Sequence, residues 1–392
     1  MSKKVITSLL TLPVELVYRI LDNFDELSIL LSIRNVCTRL NAITDTYHRY
    51  QAMSALDLKF RKIHDQTIKC LVTVLHTNKT LTTLDLAQNY ISIEGAQYIM
   101  NFLKINTILT ILHLNWNKIG TEGVQYLANA LYNNTTLKVL DLGGNCIGDE
   151  GARCLANALK NNTTLTTLIL CENRITAEGA HHLANGLHDN TTFTMLHLNC
   201  NSIGNEGARY LANALKNNIS LTTLIISRNQ IGPEGTRYFA NALRNNTMLK
   251  ILDLAHNRID NESIQLIANA LQNNTMLKIL DLAHNRIDNE SIQLIANALQ
   301  NNTTLTTLNL GWNQIDTEGT SSLANALETN NTLTTLDLNH NKIGAKGTQY
   351  LAKALACNTT LTNLNLTNNQ ITIEDVQYLR NISKDALIRV QF

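Results

Sequence analysis

Apolar residues in this chain keep two rhythms by turns. In "LTTLDLAQNYI", from Leu81, leucines at positions 1, 4 and 6 alternate with polar residues. That is the signature of a half-buried strand. In the following stretch Leu127, Ala128 and Leu131 stand at helical spacing. Glu122 falls in that helix's opening turn, where a carboxylate suits the dipole. The strand-then-helix pair returns every 28 residues, from Met53 and Leu81 through Leu109 and Leu137 to Leu361. The pattern predicts twelve units, with "ALIRVQF" at the end supplying a stub of one more strand.

The period has packing consequences. Parallel strands sit about 4.8 Å apart, whereas packed helices need about 8–10 Å between axes. A stack of such units must curve with its sheet inside. The alanines of "LANAL" suit a narrow helix contact. Position 9 is asparagine from Asn89 to Asn369, and its amide has both the donor and the acceptor needed to satisfy adjacent turns. A second asparagine, Asn78 through Asn358, follows each helix and is expected in a left-handed helix end. It creates sequons at Asn134, Asn162, Asn190, Asn302 and Asn358. Their recurrence at one repeat position argues for a structural cause over glycosylation. Residues Asn245–Gln272 and Asn273–Gln300 are identical, which a stack of nearest-neighbour units tolerates.

The unbroken 28-residue unit and its "EGAxxLANAL" helix resemble the leucine-rich-repeat family, and within it the ribonuclease-inhibitor type. The resemblance covers Met53 to about Phe392. It implies an α/β solenoid, a horseshoe with a parallel inner sheet and outer helices, over residues 53–392.

Residues between the inward leucines face the concave side. Position 5 carries Asp85, His113, Asp141, His197, Asp253, Asp281 and Asp337. Position 8 carries Trp116, Glu172, Arg228, His256, His284, Trp312 and His340. Position 10 adds a basic rim that includes Lys62, Lys118, Arg174, Arg258, Arg286 and Lys342. These position-5 and position-8 residues form the expected partner-binding face. Both tryptophans lie at position 8, and tryptophan is enriched at interface hot spots; the plainer reading is that each ring packs over its neighbouring strands. Lys250, Lys278, Arg258 and Arg286 are expected to neutralise the adjacent Asp253 and Asp281. His256 and His284 arise from one duplication, and no shared metal is expected of them.

The first fifty residues break the pattern. Pro13 suits a first helical position, and Leu16, Ile20 and Leu21 follow at helical spacing. Leu27, Leu30 and Leu31 form a second apolar group; Val36, Leu40 and Ile43 form a third. Three short helices cannot bury much surface alone, so they need the solenoid's end or another protein. The Leu12-Pro13-x-Glu15-Leu16 opening, Ile20-Leu21, Leu30-Leu31, Arg34 and Val36-Cys37 resemble an F-box. Ile29 and Leu40 depart from that family's usual acidic residue and tryptophan. The resemblance implies an all-α segment over residues 1–52. Leu12, Pro13, Leu16, Ile20, Leu21, Leu30, Leu31, Val36 and Cys37 would meet the adaptor of a cullin-based ubiquitin ligase.

Composition narrows the function. A net charge of +1 gives no field that would draw nucleic acid, and no run of 18 apolar residues spans a membrane. Seven cysteines form no Cys-x-x-Cys, as in a reduced cytoplasmic or nuclear protein. The phosphate loop, nucleophile elbow and zinc-protease motifs are missing, and Cys200 near Glu172 and His197 is a weak catalytic trio. The chain is expected to be no enzyme, to hold no cofactor and to be a monomer outside its complex. Two functions stand: a substrate receptor of a ubiquitin ligase, or a scaffold, sensor or inhibitor whose head is a helical cap. A small-GTPase activator is a third.

Overall fold

The computed structural model describes residues 13–23, 25, 28–30, 38–382 and 389–392. The chain forms two compact units, Met1–Ile169 and Leu170–Phe392. The alternation at positions 1, 4 and 6 does what its period requires: Leu109, Leu112 and Leu114 are wholly buried, as are their counterparts in most other rungs. Each rung yields a three-residue strand over positions 3 to 5. The first unit holds β1 (Ala55–Asp57), β2 (Thr83–Asp85), β3 (Ile111–His113), β4 (Val139–Asp141) and β5 (Thr167–Ile169). They pair in chain order, all parallel, with Leu56 beside Leu84, Leu84 beside Leu112, Leu112 beside Leu140 and Leu140 beside Leu168.

The second unit repeats this with β6 (Met195–His197), β7 (Thr223–Ile225), β8 (Ile251–Asp253), β9 (Ile279–Asp281), β10 (Thr307–Asn309), β11 (Thr335–Asp337) and β12 (Asn363–Asn365). The expected stub is a strand as well: β13 (Arg389–Gln391) pairs with β12, Val390 beside Leu364. The fold is a leucine-rich-repeat solenoid of parallel strands alternating with helices. None of the described helices is long and apolar enough to cross a membrane.

Close helix packing depends on small residues. A Cβ on Gly123 would stand 2.7 Å from Ile119 Cγ2 and 3.3 Å from Ala96 Cβ in the preceding rung. Ser263 and Ser291 occupy the same position in the duplicated rungs and are buried.

The position-9 asparagines behave as their chemistry predicts. Asn89 Oδ1 accepts from the Arg61 and Ile63 amides at 3.1 and 2.9 Å, while its Nδ2 donates to the Leu58 and Leu86 carbonyls at 3.0 Å each. The same side chain therefore ties one rung to the last. The asparagines after the helices correct an expectation. Their backbone is extended, with φ −78° and ψ 128° at Asn106 and φ −80° and ψ 122° at Asn358, and none has a positive φ. Asparagine is needed there for its side chain instead. Asn134 Oδ1 accepts from the Thr136 and Leu137 amides at 3.1 and 2.8 Å, and its Nδ2 donates to the Leu103 carbonyl at 2.9 Å.

The head contains α1 (Val14–Leu21), α2 (Thr38–Thr46) and α3 (His48–Gln51). Pro13 precedes α1 as its cap residue, one position earlier than expected. Tyr47 OH donates to Asp22 Oδ1 at 2.5 Å, and Tyr18 OH lies 2.7 Å from Thr46 Oγ1. Val17, Leu21, Ile29, Leu30, Leu40, Ile43 and Tyr47 are buried.

Candidate functional site

Beyond each strand the backbone does something its sequence does not advertise. The position-8 residue is left-handed in every rung, with φ between 52° and 60° at Phe60, Gln88, Trp116, Glu172, Cys200, Arg228, His256, His284, Trp312, His340 and Asn368. Gly144 has φ 66°. An L-residue there costs about 1–2 kcal/mol. The cost is offset by the ladder, since position-8 amides from Phe60 to His340, Gly144 aside, still bond to the next rung: Gln88 N to Asn115 O at 2.8 Å, Trp312 N to Asn339 O at 2.8 Å. Such conformations concentrate at functional sites. Only Gly144 and Asn368, residue types that favour this region, hinted at it.

The acidic residues at position 5 have a structural task. Oδ1 of Asp85, Asp141, Asp253, Asp281 and Asp337 each accepts from the amide two residues on, at 2.8–3.0 Å. Asn309 and Asn365 do the same. This is the side-chain turn characteristic of Asx residues, and it ends the strand.

In the first unit, His113 Nδ1 lies 3.7 Å from Asp141 Oδ2. The Asp141 carboxylate, with the charge of Asp85, raises the imidazole's pKa above its ordinary value against the opposing effect of burial. Trp116 rests against the next rung: a Cβ on Gly144 would fall 2.8 Å from Trp116 Cδ2. The indole remains 46 % exposed. Lys118 Nζ stands 5.1 Å from the centre of the Tyr90 ring.

In the second unit, position 8 builds a ladder of rings. His256 and His284 stack with centroids 3.6 Å apart, His284 and Trp312 at 5.5 Å, and Trp312 and His340 at 3.7 Å. Arg228 Nη2 donates to His256 Nε2 at 3.3 Å. At the other end Asn368 Nδ2 donates to His340 Nε2 at 2.8 Å, and His340 Nδ1 reaches Asn339 Oδ1 at 3.1 Å. A guanidinium donor at Nε2 fits a neutral His256. Burial, then the neighbouring His284 and Arg228, depress the pKa of His256. Trp312 is thus sandwiched between imidazoles and 51 % exposed. Glu172 is exposed and His197 half-buried on rungs before the ladder, and Cys200 Sγ is 3.9 Å from Asn199 Nδ2.

The expected neutralisation of Asp253 and Asp281 by lysine and arginine does not occur. Asp253 Oδ2 accepts from Ser227 Oγ at 2.9 Å, and Asp281 Oδ2 from Asn309 Nδ2 at 2.8 Å. Among the described residues neither carboxylate forms an ion pair. Burial chiefly, with Asp253 and Asp337 adding repulsion, pushes Asp281 up to about 6. The strand-end hydrogen bonds hold the carboxylates beside the sheet, and the cations stay out in solvent.

The head residues split into two sets. Pro13 and Leu16 are exposed and Ile20 is half-buried, whereas Leu21 and Leu30 are interior. Leu12, Leu31, Val36 and Cys37 lie outside the described residues.

Comparison with known proteins gives the family. A model described as "MHP1/HER1/GIP3 LRR domain" matches residues 97–389, well over half of the chain, and a generic leucine-rich-repeat model matches residues 77–100. No curated protein matches. Among solved structures, an internalin (InlF) from Listeria monocytogenes is similar in fold, at 23 % identity and TM-score 0.53 over 87 % of each chain. Leiomodin-1 Actin-Binding Site 2 matches at 29 % identity and TM-score 0.34, over 38 % of this chain and 87 % of that one. The repeats, their ladders and the matching model agree: the chain belongs to the MHP1/HER1/GIP3 leucine-rich-repeat domain family.

Proposed function

We propose that this chain is a protein-interaction receptor whose head, residues 1–52, engages a ligase adaptor while the repeat face presents a partner. One observation carries the adaptor half. Helix α1 buries Val17 and Leu21 against the head but leaves Leu16 43 % exposed, beside exposed Pro13. Leu16 and Pro13 are among the residues that the F-box resemblance assigns to adaptor contact. Exposed apolar groups on a short helix suit a partner surface. The test is a pull-down of the full chain with the adaptor subunit. Leu16→Asp should abolish binding, because a charge at an apolar interface is left unpaired. Since Leu16 is exposed, the unfolding temperature should not move. Unchanged binding would remove the ligase reading.

A second reading has its own observation. Asn78 Nδ2 donates to the Tyr50 carbonyl at 3.0 Å, and Tyr50 OH donates to the Val74 carbonyl at 3.2 Å. Asn162 Nδ2 donates in the same way to the Asn134 carbonyl of the rung before it. Helix α3 therefore acts as an extra rung, and the head caps the stack. Capping by α3 and adaptor contact by α1 use different surfaces. Tyr50→Ala should lower the unfolding temperature and leave adaptor binding intact.

A further inference from the structure

Three guanidiniums of the second unit, Arg228, Arg258 and Arg286, belong to consecutive rungs and are exposed. Among the described residues none of them forms an ion pair with a carboxylate. A cavity of about 520 Å³ brings them together beside His256, His284 and Trp312. An adjoining cavity of about 710 Å³ is also lined by Arg258 and Arg286. Unpaired cations converging on a concavity of ligand size call for an anion.

The ladder decides what kind. Its rings already cover one another's faces, with centroids as close as 3.6 and 3.7 Å. A stacked nucleobase needs an open face, and the interior rings offer edges. The hydrogen bond from Arg228 suits an uncharged His256, so the positive charge is carried by the arginines, one per rung. Rungs stand about 4.8 Å apart, and alternate residues of an extended peptide about 6.6–6.8 Å apart. Flexible arginine side chains span that difference and take carboxylates two bonds at a time. Asp260 and Glu262 line the second cavity and repel an anion placed within it. Separate single charges on the ladder side fit this layout better than one concentrated dianion.

We propose that the line of Arg228, Arg258 and Arg286, beside the His256–His284–Trp312 stack, is a docking groove for an extended segment of a partner protein with Asp or Glu at alternate positions. The proposal deepens the reading of the repeat face as a partner site and rests on it.

The experiment is fluorescence anisotropy on the full chain with a labelled synthetic peptide of alternating glutamate and threonine. Binding should appear, weaken with added salt, and fall by at least about tenfold in Arg258→Gln/Arg286→Gln. Lys342→Gln, on the same rim but away from the groove, should leave it unchanged. All three side chains are exposed, so the variants should keep the wild-type unfolding temperature. No binding, equal binding of a lysine–threonine peptide, or indifference to the double variant would overturn the proposal. So would preference for a peptide bearing one phosphoserine, or tighter binding of oligo-dT. A chain that ignores the glutamate peptide yet still captures the adaptor, and loses it on Leu16→Asp, keeps the receptor reading and loses only this one.

Discussion

Trp116 and Trp312 occupy the same place in the repeat, with φ 58° and 55° and similar exposure, yet their surroundings differ. Trp116 lies against the bare backbone of Gly144, near His113 and the Asp141 carboxylate of the next rung. Trp312 is held between two imidazoles. The hydrogen-bond ladder sets where a position-8 side chain stands. The residue one rung away sets which part of it a partner can touch. Surface character in this fold is thus a property of neighbouring pairs, and a list of outward residues misses it.

The sharpest way to break that contrast is at the neighbours. Gly144→Ala adds a Cβ into Trp116 at a positive φ and should destabilise the first unit by about 2–3 kcal/mol. His340→Ala, at a position that already holds an L-residue, should cost less than about 1 kcal/mol. Thermal unfolding measures both, and equal losses would mean that the neighbours do not matter. Next come the tryptophans themselves. Trp116→Ala and Trp312→Ala should each weaken partner binding by about 2 kcal/mol if they are hot spots, read by calorimetry with a captured partner. Wild-type affinity in both would move the interface to the helices.

The smaller effects are electrostatic. Asp281, pushed up to about 6 by burial first, holds its proton more firmly folded than unfolded. Its contribution is full below the ordinary value near 4 and fades as pH rises toward 6. Asp253→Asn removes one repelling charge, so Asp281 should titrate lower, and the fade should shrink by about 0.5–1 kcal/mol. Carbon-detected NMR of the carboxyls reads this directly. An unmoved titration would leave burial as the whole cause. The weakest effect distinguishes two histidines. His113 has a raised pKa from the Asp141 carboxylate beside it, so its contribution is full below about 6.5 and is lost as pH rises through the raised value. His256 is depressed by burial, so its contribution is full above about 6.5 and fades as pH falls toward the lowered value. Proton NMR should find the two on opposite sides of the ordinary imidazole value, and Asp141→Asn should bring only His113 down.

Much of this was legible in the sequence, because a period encodes its own contacts. The apolar alternation located the strands, and the position-9 asparagines announced the ladder through their dual chemistry. What stayed hidden has physical reasons. The left-handed turn at position 8 is imposed by the ladder on residues as unlike as Trp312, Glu172 and Cys200, whose types do not favour it. The extended backbone after each helix went unseen because asparagine also suits a left-handed end. The relief of Asp281 by Asn309 depends on which atom reaches across a rung, and charge counting favoured lysine and arginine. In the head, burial of Leu21 and Leu30 beside an exposed Leu16 is a matter of which side of a short helix meets its neighbours.

The asparagines that follow the helices set the fold and a covalent modification in competition for one atom. Asn134, Asn162, Asn302 and Asn358 sit in glycosylation sequons, yet each is buried and lends its Nδ2 hydrogen to a leucine carbonyl 31 residues earlier, at 2.6–2.9 Å. That nitrogen is the atom a glycan would occupy. Sugars are attached to a chain as it enters the secretory route, before rungs close. A glycan placed on such a nitrogen before folding would sit in a seam and oppose stacking. The atom that joins rung to rung is thus the same one a glycan would need, and in the stacked fold it is already engaged.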